Sequence, residues 1–254
     1  MLQLDRCSKS FGGLPALSEV SFTVPAGQLT ALIGPNGAGK TTLINCITGV
    51  LQPDAGHIRF RAQELSGLPA HRVSRLGIAR TFQNLKIFPR LSVLDNVLTG
   101  LTAIGGSSLL MAMLRLPYLR HRERQLKLQA LAALDRFQLT EKADWPAGIL
   151  AYGDKKRLEL ARAAVSHPYL LLLDEPVAGL NAGETAAIAD QLRILRASGH
   201  TMLLVEHDMD LVMNIADQVV VLDSGRCIAT GTPDQVRRNP LVLEAYLGTL
   251  GATA

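Results

Sequence analysis

The sequence predicts an α/β fold interrupted by a helical insertion, and three observations carry that expectation. An apolar run, Leu29–Ile33, breaks into the glycine-rich string GPNGAGKT at residues 34–41, and helix-like sequence follows from Leu43 onward. A second apolar run, LLLL at residues 170–173, is too short for a helix and ends directly in Asp174 and Glu175. Between the two, from around Arg90 to Ser166, the pattern becomes largely helical, and strand character resumes just after Ser166.

The elements follow in order. Residues 2–7 and 20–24 alternate in strand fashion, and Pro25, Ala26 and Gly27 turn the chain into the strand at Leu29. Residues 41–50 read as the helix after the glycine-rich loop, and residues 53–56, PDAG, turn into a short strand over residues 57–61. In the helical stretch Leu128, Leu131, Leu134 and Phe137 recur every third residue, which places them near one helix face. Residues 201–205 form another buried run, followed by Glu206 and His207. Residues 219–222 and 227–229 flank Asp223-Ser224-Gly225, a hairpin signal. The tail, residues 232–247, reads as helix after its Thr-Pro start. The expected organisation is one domain over residues 1–254. Its core comprises residues 1–89 and 167–230, its helical subdomain residues 90–166, and its helical tail residues 231–254.

Hydrophobic residues make up 48% of the chain, ample for a core, while aromatics are only 4%, so Ala, Leu and Val do most of the packing. The net charge of +4 is spread evenly, except that Arg115, Arg120, Arg122, Arg124 and Lys127 face only Glu123. That stretch is either a solvated helix face or a contact for a negatively charged partner or membrane surface. No nucleic-acid partner is expected. Cys7, Cys46 and Cys227 are far apart in sequence and are expected to form no metal-ligand or redox pair, which suits a reducing compartment. The first residues carry no apolar signal-peptide core. Residues 96–114 lack a charged side chain, but their Gly, Ser and Thr content suits a loop between helices better than a membrane span.

The string at residues 34–41 fits G-x-x-x-x-G-K-[ST], the Walker A pattern, in its proper strand-then-helix context. Its glycines let consecutive N–H groups curl toward phosphate oxygens, and the following helix adds the partial positive charge of its N-terminus. Lys40 is expected to reach the β- and γ-phosphates, and the Thr41 hydroxyl to ligate Mg²⁺. The chain is thus expected to bind a nucleoside triphosphate. Hydrolysis needs a metal and a positioned water. Asp174 ends a buried strand where α/β sheets place their ligands, and is the candidate for the Mg²⁺ sphere. Glu175, one residue on, is the candidate general base. His207 ends the next strand and is expected to meet the γ-phosphate, while Gln83, in RTFQN, is an amide able to touch Mg²⁺ or the water.

Taken together, the Walker A loop, Gln83, LAYGDKKRLELARA at residues 150–163, LLLLDEP, AGLN at residues 178–181 and His207 closely resemble an ATP-binding cassette ATPase, the motor subunit of an ABC transporter. The resemblance spans essentially the whole chain. The strings RTFQNLKIFPRLSVLDNV, DEPVAGLN, VEHDMDLVM and GTPDQVRRNPLVLEAYLG narrow it to the ATPases of bacterial branched-chain amino acid importers, and within those to the longer of two sister subunits. The related alternatives are a lipid or lipopolysaccharide exporter ATPase and a non-transport cassette. A small GTPase is disfavoured because no Asn-Lys-x-Asp string is present.

The resemblance implies a RecA-like P-loop NTPase core with an N-terminal antiparallel β subdomain and an inserted helical subdomain. It implies that Phe11 stacks on adenine and that Gly34, Pro35, Asn36, Gly37, Ala38, Gly39, Lys40, Thr41 and Thr42 cradle the phosphates. Thr41, Gln83 and Asp174 would hold Mg²⁺, with Glu175, His207 and Lys40 catalytic. Ala151, Gly153 and Asp154 would meet ATP bound by a second subunit, and Asn181 would lie on the loop crossing between subunits. It further implies ATP and Mg²⁺ as cofactors and a homodimer or a heterodimer with a sister ATPase. The location implied is cytoplasmic, on the inner face of the membrane, through separate membrane subunits. The signature segment departs from the family's usual LSGGQ: Ala151, Tyr152 and Asp154 replace its serine, first glycine and glutamine. Asp154 is expected to repel the opposing phosphate and weaken ATP-driven dimerisation.

Overall fold

Two glycines in the left-handed region, Gly12 (φ 56) and Gly13 (φ 86), turn β1 (Leu2–Phe11) back onto β2 (Leu14–Val24). The computed structural model describes residues 1–83, 85–102 and 117–250. β1 also pairs antiparallel with β4 (Ala55–Phe60), which pairs with the short β5 (Gln63–Glu64), giving a sheet in the order β2-β1-β4-β5. Both of the first strands run further than alternation alone indicates, because the Gly-Gly turn lets pairing continue from Leu2 opposite Val24 to Phe11 opposite Leu14.

The second sheet has the order β10-β9-β3-β8-β7-β6. β3 (Leu29–Ile33), β7 (Leu170–Asp174) and β8 (Thr201–Val205) are buried at every position, as strands covered on both faces must be. β8 runs parallel to both β3 and β7, and β9 (Gln218–Asp223) parallel to β3; β10 (Arg226–Gly231) returns antiparallel. Ser224 (φ 47) and Gly225 (φ 76) form the two-residue turn of that hairpin. β6 (Ile78–Arg80) lies at the β7 edge.

Period-two alternation gives this sheet two different apolar faces. Leu32, Leu172, Leu203 and Val205 pack with Leu43, Ile44 and Ile47 of α1 (Lys40–Ile47) and with Leu2, Leu4 and Phe60 of the first sheet. Ala31, Ile33, Val219 and Val221 pack instead against Val212 of α7 (Met209–Ile215), Val236 of α8 (Pro233–Arg237) and Val242 of α9 (Pro240–Leu250). The tail is therefore two helices broken at Asn239-Pro240. The first opens with a complete capping box between Thr232 and Gln235. Cys7 and Cys46, far apart in sequence, meet in the first core. Their thiols share a hydrogen bond that pushes Cys7 up, and both are reduced.

Contacts divide the chain into two compact units, 1–78 with 169–175 and 192–254, and 79–168 with 176–191. The second unit is built on α3 (Val93–Thr102), α4 (Pro117–Arg136), α5 (Tyr152–Ala164) and the start of α6 (Ala182–Ala197); the short helix α2 (Ala70–Arg75) belongs to the first. α3 and α5 approach so closely that a Cβ on Gly100 would lie 2.2 Å from the Arg162 carbonyl oxygen. On α4 Ala130 and Leu134 are buried, as is Phe137 just past its end, while Leu128 is 59% exposed. At about 100° per residue, Leu128 and Phe137 lie on opposite sides of the helix, so a strict three-residue repeat does not hold one face that long. Among the described residues no helix is long and apolar enough to cross a membrane. Most of the uncharged stretch 96–114, and Arg115 of the basic stretch, fall outside the described residues.

Candidate nucleotide-binding and catalytic site

Parallel register brings three strand ends to one edge of the second sheet. Leu32 of β3 and Asp174 of β7 both stand opposite Val205 of β8. Gly34, Glu175 and His207 therefore follow at the same end, where ligands of α/β sheets bind.

The phosphate loop is shaped by exclusion. At Gly34 (φ 150) a Cβ would sit 2.0 Å from the Leu222 carbonyl oxygen, and at Gly39 (φ 98) it would sit 2.6 Å from the Ala16 carbonyl oxygen. Gly39 is the N-cap of α1 and supplies no side-chain cap, and the first turn carries no acid. The first amides of α1 are thus left to an anion. Lys40 Nζ donates to the carbonyls of Gly34 (2.6 Å) and Pro35 (2.9 Å), spanning the loop. Burial pulls its ammonium below the usual value, and the Glu175 charge opposes this. Asn36, Gly37 and Thr41 are exposed, and Thr42 is half-buried.

Asp174 is 5% exposed at the end of β7. Glu175 adopts φ 49, a left-handed conformation unusual for a residue with a side chain, and its N–H donates to Val205 O at 2.9 Å. Such backbone outliers concentrate at functional sites. Glu206, 1% exposed, lies beside His207, whose side chain is 65% exposed. Phe11 ends β1 and is 47% exposed, and the Lys9 ammonium stands 5.7 Å from its ring centre.

Two supports of the loop have no signal in the motif. The N–H of Gly225, in the β9–β10 turn, donates to Ala38 O at 3.1 Å, and its own O accepts from Ser18 N–H at 2.8 Å. Tyr246 of α9 buries its hydroxyl against the Gly34 amide; burial pushes the phenol up and the amide opposes it. A hairpin turn and the tail helix thereby brace the phosphate loop.

The remaining candidates lie in the second unit. Ala151 is the N-cap of α5 and offers no side-chain cap, so this helix N-terminus is also open to an anion. Tyr152 Oη donates to Ala178 O at 3.3 Å. Asn181 Oδ1 accepts from Glu184 N–H at 3.0 Å while Glu184 Oε2 accepts from Asn181 N–H at 3.1 Å, a reciprocal cap on α6. A Cβ on Gly153 would meet Glu184 Oε1 at 2.4 Å, so a larger residue there requires the Glu184 side chain to shift. Gly153, Arg157, Leu180, Asn181 and Glu184 line a cleft of about 290 Å³. Gln83 is exposed on the loop before α3.

Asp154 departs from its expected role. It is 5% exposed, and its two oxygens engage Lys142 and Arg157. Two cations thus face one carboxylate, a compensation that the expected repulsion of phosphate did not include.

Comparisons with known proteins identify the family. Residues 17–178 match the ABC transporter family model, and residues 226–250 match the model for branched-chain amino acid ATP-binding cassette transporters. The chain is 43% identical over 249 residues to the high-affinity branched-chain amino acid transport ATP-binding protein BraF of Pseudomonas aeruginosa, covering 98% of each chain. It is 42% identical over 249 residues to the corresponding protein LivG of Escherichia coli K12, again covering 98% of each. Among solved structures, the ADP conformation of an ATP-binding cassette of an ABC transporter superposes with a TM-score of 0.83, at 34% identity and 98% coverage of both chains. With its Walker A loop, strand-end acids and signature helix in place, the chain belongs to the ATP-binding, ATP-hydrolysing subunits of the ABC transporter family.

Proposed function

We propose that this chain is the motor subunit of an importer for branched-chain amino acids, working on the cytoplasmic face of the membrane against separate membrane subunits. The carrying observation is the match of residues 226–250 to the branched-chain amino acid cassette model, on top of near full-length identity to transport ATPases of that class. Its C-terminal segment matters physically as well, since Tyr246 within it packs on the phosphate loop.

In this reading Phe11 stacks on adenine, and the amides of Gly34, Pro35, Asn36, Gly37, Ala38, Gly39, Thr41 and Thr42 hold the phosphates with Lys40. The donor set Thr41, Gln83 and Asp174 contains a single carboxylate. It therefore suits Mg²⁺, which keeps waters and takes phosphate oxygens rather than a cage of protein ligands. Bound there, the ion would neutralise charge on the transferred phosphoryl group. Glu175 accepts the proton of the attacking water and His207 donates to the γ-phosphate. Ala151, Gly153 and Asn181 complete the site of a second copy or of a sister ATPase, with Asp154 as internal support for that surface. Binding of ATP then holds two subunits together, and hydrolysis releases them.

Glu175→Gln tests the hydrolytic reading. The variant binds ATP, loses hydrolysis by about 10²-fold or more, and accumulates closed dimers in size-exclusion chromatography. Monomers persisting at saturating ATP and Mg²⁺ refute it. For the solute, proteoliposomes carrying this chain and its membrane subunits take up labelled leucine, isoleucine or valine in an ATP-dependent manner. Intact hydrolysis with uptake of none of the three refutes the substrate assignment.

A further inference from the structure

Glu159 lies on α5, beyond the signature residues that start the helix, and is 3% exposed. A buried carboxylate needs hydrogen-bond partners. One oxygen, Oε1, accepts from the Phe82 N–H at 3.3 Å and the Lys86 N–H at 3.4 Å. Those two amides bracket Gln83. Burial pushes the Glu159 carboxyl up, opposed by these amides and by the charges of Lys156 and Arg162. The far end of the same loop is held by Asn96 of α3, which is fully buried. Asn96 Oδ1 accepts from Phe88 N–H at 2.8 Å, and Nδ2 donates to Phe88 O at 3.0 Å and to Ser92 O at 2.9 Å. Gln83 itself is exposed, on a loop whose two ends are fastened to neighbouring helices by buried side chains. One buried oxygen that accepts from two amides holds the backbone on either side of Gln83 in a set position.

We propose that Glu159 is a positioning residue for ATP hydrolysis: by gripping the amides on either side of Gln83, it makes the glutamine loop and the signature helix one mechanical piece. A displacement of the loop by nucleotide moves α5, and a displacement of α5 by a second subunit moves Gln83. The inference rests on the nucleotide role assigned above to Gln83.

The geometry separates reach from charge. Glutamine at position 159 keeps the length and presents one carbonyl oxygen to both amides, whereas aspartate keeps the charge and withdraws it by a methylene. Expected, therefore, is that Glu159→Asp lowers kcat for ATP by about tenfold with KM little changed, and that Glu159→Gln restores near wild-type kcat. Lys86→Pro, which deletes one of the two donors on an exposed loop, shifts kcat in the same direction and stands in if the aspartate variant does not fold. Wild-type kcat in Glu159→Asp and Lys86→Pro overturns the proposal. So does loss in Glu159→Gln with retention in Glu159→Asp, which would make charge the agent. A rise in KM that tracks a fall in melting temperature also overturns it, since that marks a scaffold role. Gln83→Ala separates the two levels. If it lowers kcat while Glu159→Asp does not, the clasp alone is wrong; if it leaves kcat unchanged, the role of Gln83 fails and the clasp fails with it.

Discussion

Replacing Asp154 by alanine removes the shared partner of Lys142 and Arg157 and leaves two cations facing each other beside a helix N-terminus. Removing one member of a fully buried ion pair costs about 3–5 kcal/mol. Here the carboxylate is 6% exposed, but the Lys142 and Arg157 side chains retain 33% and 24% of their exposure. Both cations can turn toward water, which brings the expected cost down to about 2 kcal/mol. For a chain of this size that is a fall in melting temperature of about 4–8 °C. The assay is thermal unfolding of Asp154→Ala, Lys142→Ala and the double variant, repeated at high salt. Burial of the shared carboxylate keeps screening weak, so most of the loss persists in salt. The double-mutant cycle yields a coupling of about 0.5–3 kcal/mol. A coupling indistinguishable from zero, or a melting temperature unchanged in Asp154→Ala, refutes the claim that Asp154 is held internally.

Other positions give sharper single readouts. Gly34→Ala places a methyl 2.0 Å from Leu222 O at φ 150, so it abolishes nucleotide binding and lowers stability; normal ATP affinity in that variant contradicts the described loop. Asn96→Ala strips both the N–H and the O of Phe88 of a buried partner, with an expected loss of about 2–3 kcal/mol in chemical denaturation. The Asp54 carboxyl is held below its usual range by Lys9 and the Ser10 amide. A depressed native value adds stability above the unfolded value and loses it as pH falls through the native one. The stability gap between wild type and Lys9→Met is therefore present above about pH 4 and closes in more acidic solution; a gap constant with pH refutes the pairing.

Local pattern sufficed where one strand or one loop carried the information. The largely apolar runs of β3, β7 and β8 announce strands buried on both faces; β7 ends in Asp174, β8 leads into Glu206 and His207, and β3 leads into the glycine-rich loop. The Asp223-Ser224-Gly225 hairpin turn was legible for the same reason, since positive φ at Ser224 and Gly225 is a local demand. Side-chain environment was not legible. The pairing of Asp154 with Lys142 has no signal in the sequence because Lys142 comes from a separate turn earlier in the unit. Nothing in the sequence signals that Cys7 and Cys46 meet, because only the packed core brings them together. The face of α4 was misread because a three-residue repeat drifts around a helix of 3.6 residues per turn.

By itself, the order of residues marked residues 34–41 as a phosphate-loop pattern and set Asp174 at the end of one buried run, with Glu175 and His207 just past the ends of two. Backbone curl, strand burial and charge type are short-range properties written within a few neighbouring residues. Tertiary structure alone decided what braces and neutralises those residues: Gly225 under Ala38, Tyr246 against Gly34, Lys142 and Arg157 on Asp154, and Glu159 on the amides beside Gln83. Hydrogen bonds and ion pairs depend on distances of a few ångströms between atoms far apart along the chain. No spacing in the sequence encodes those distances; only the packed fold sets them.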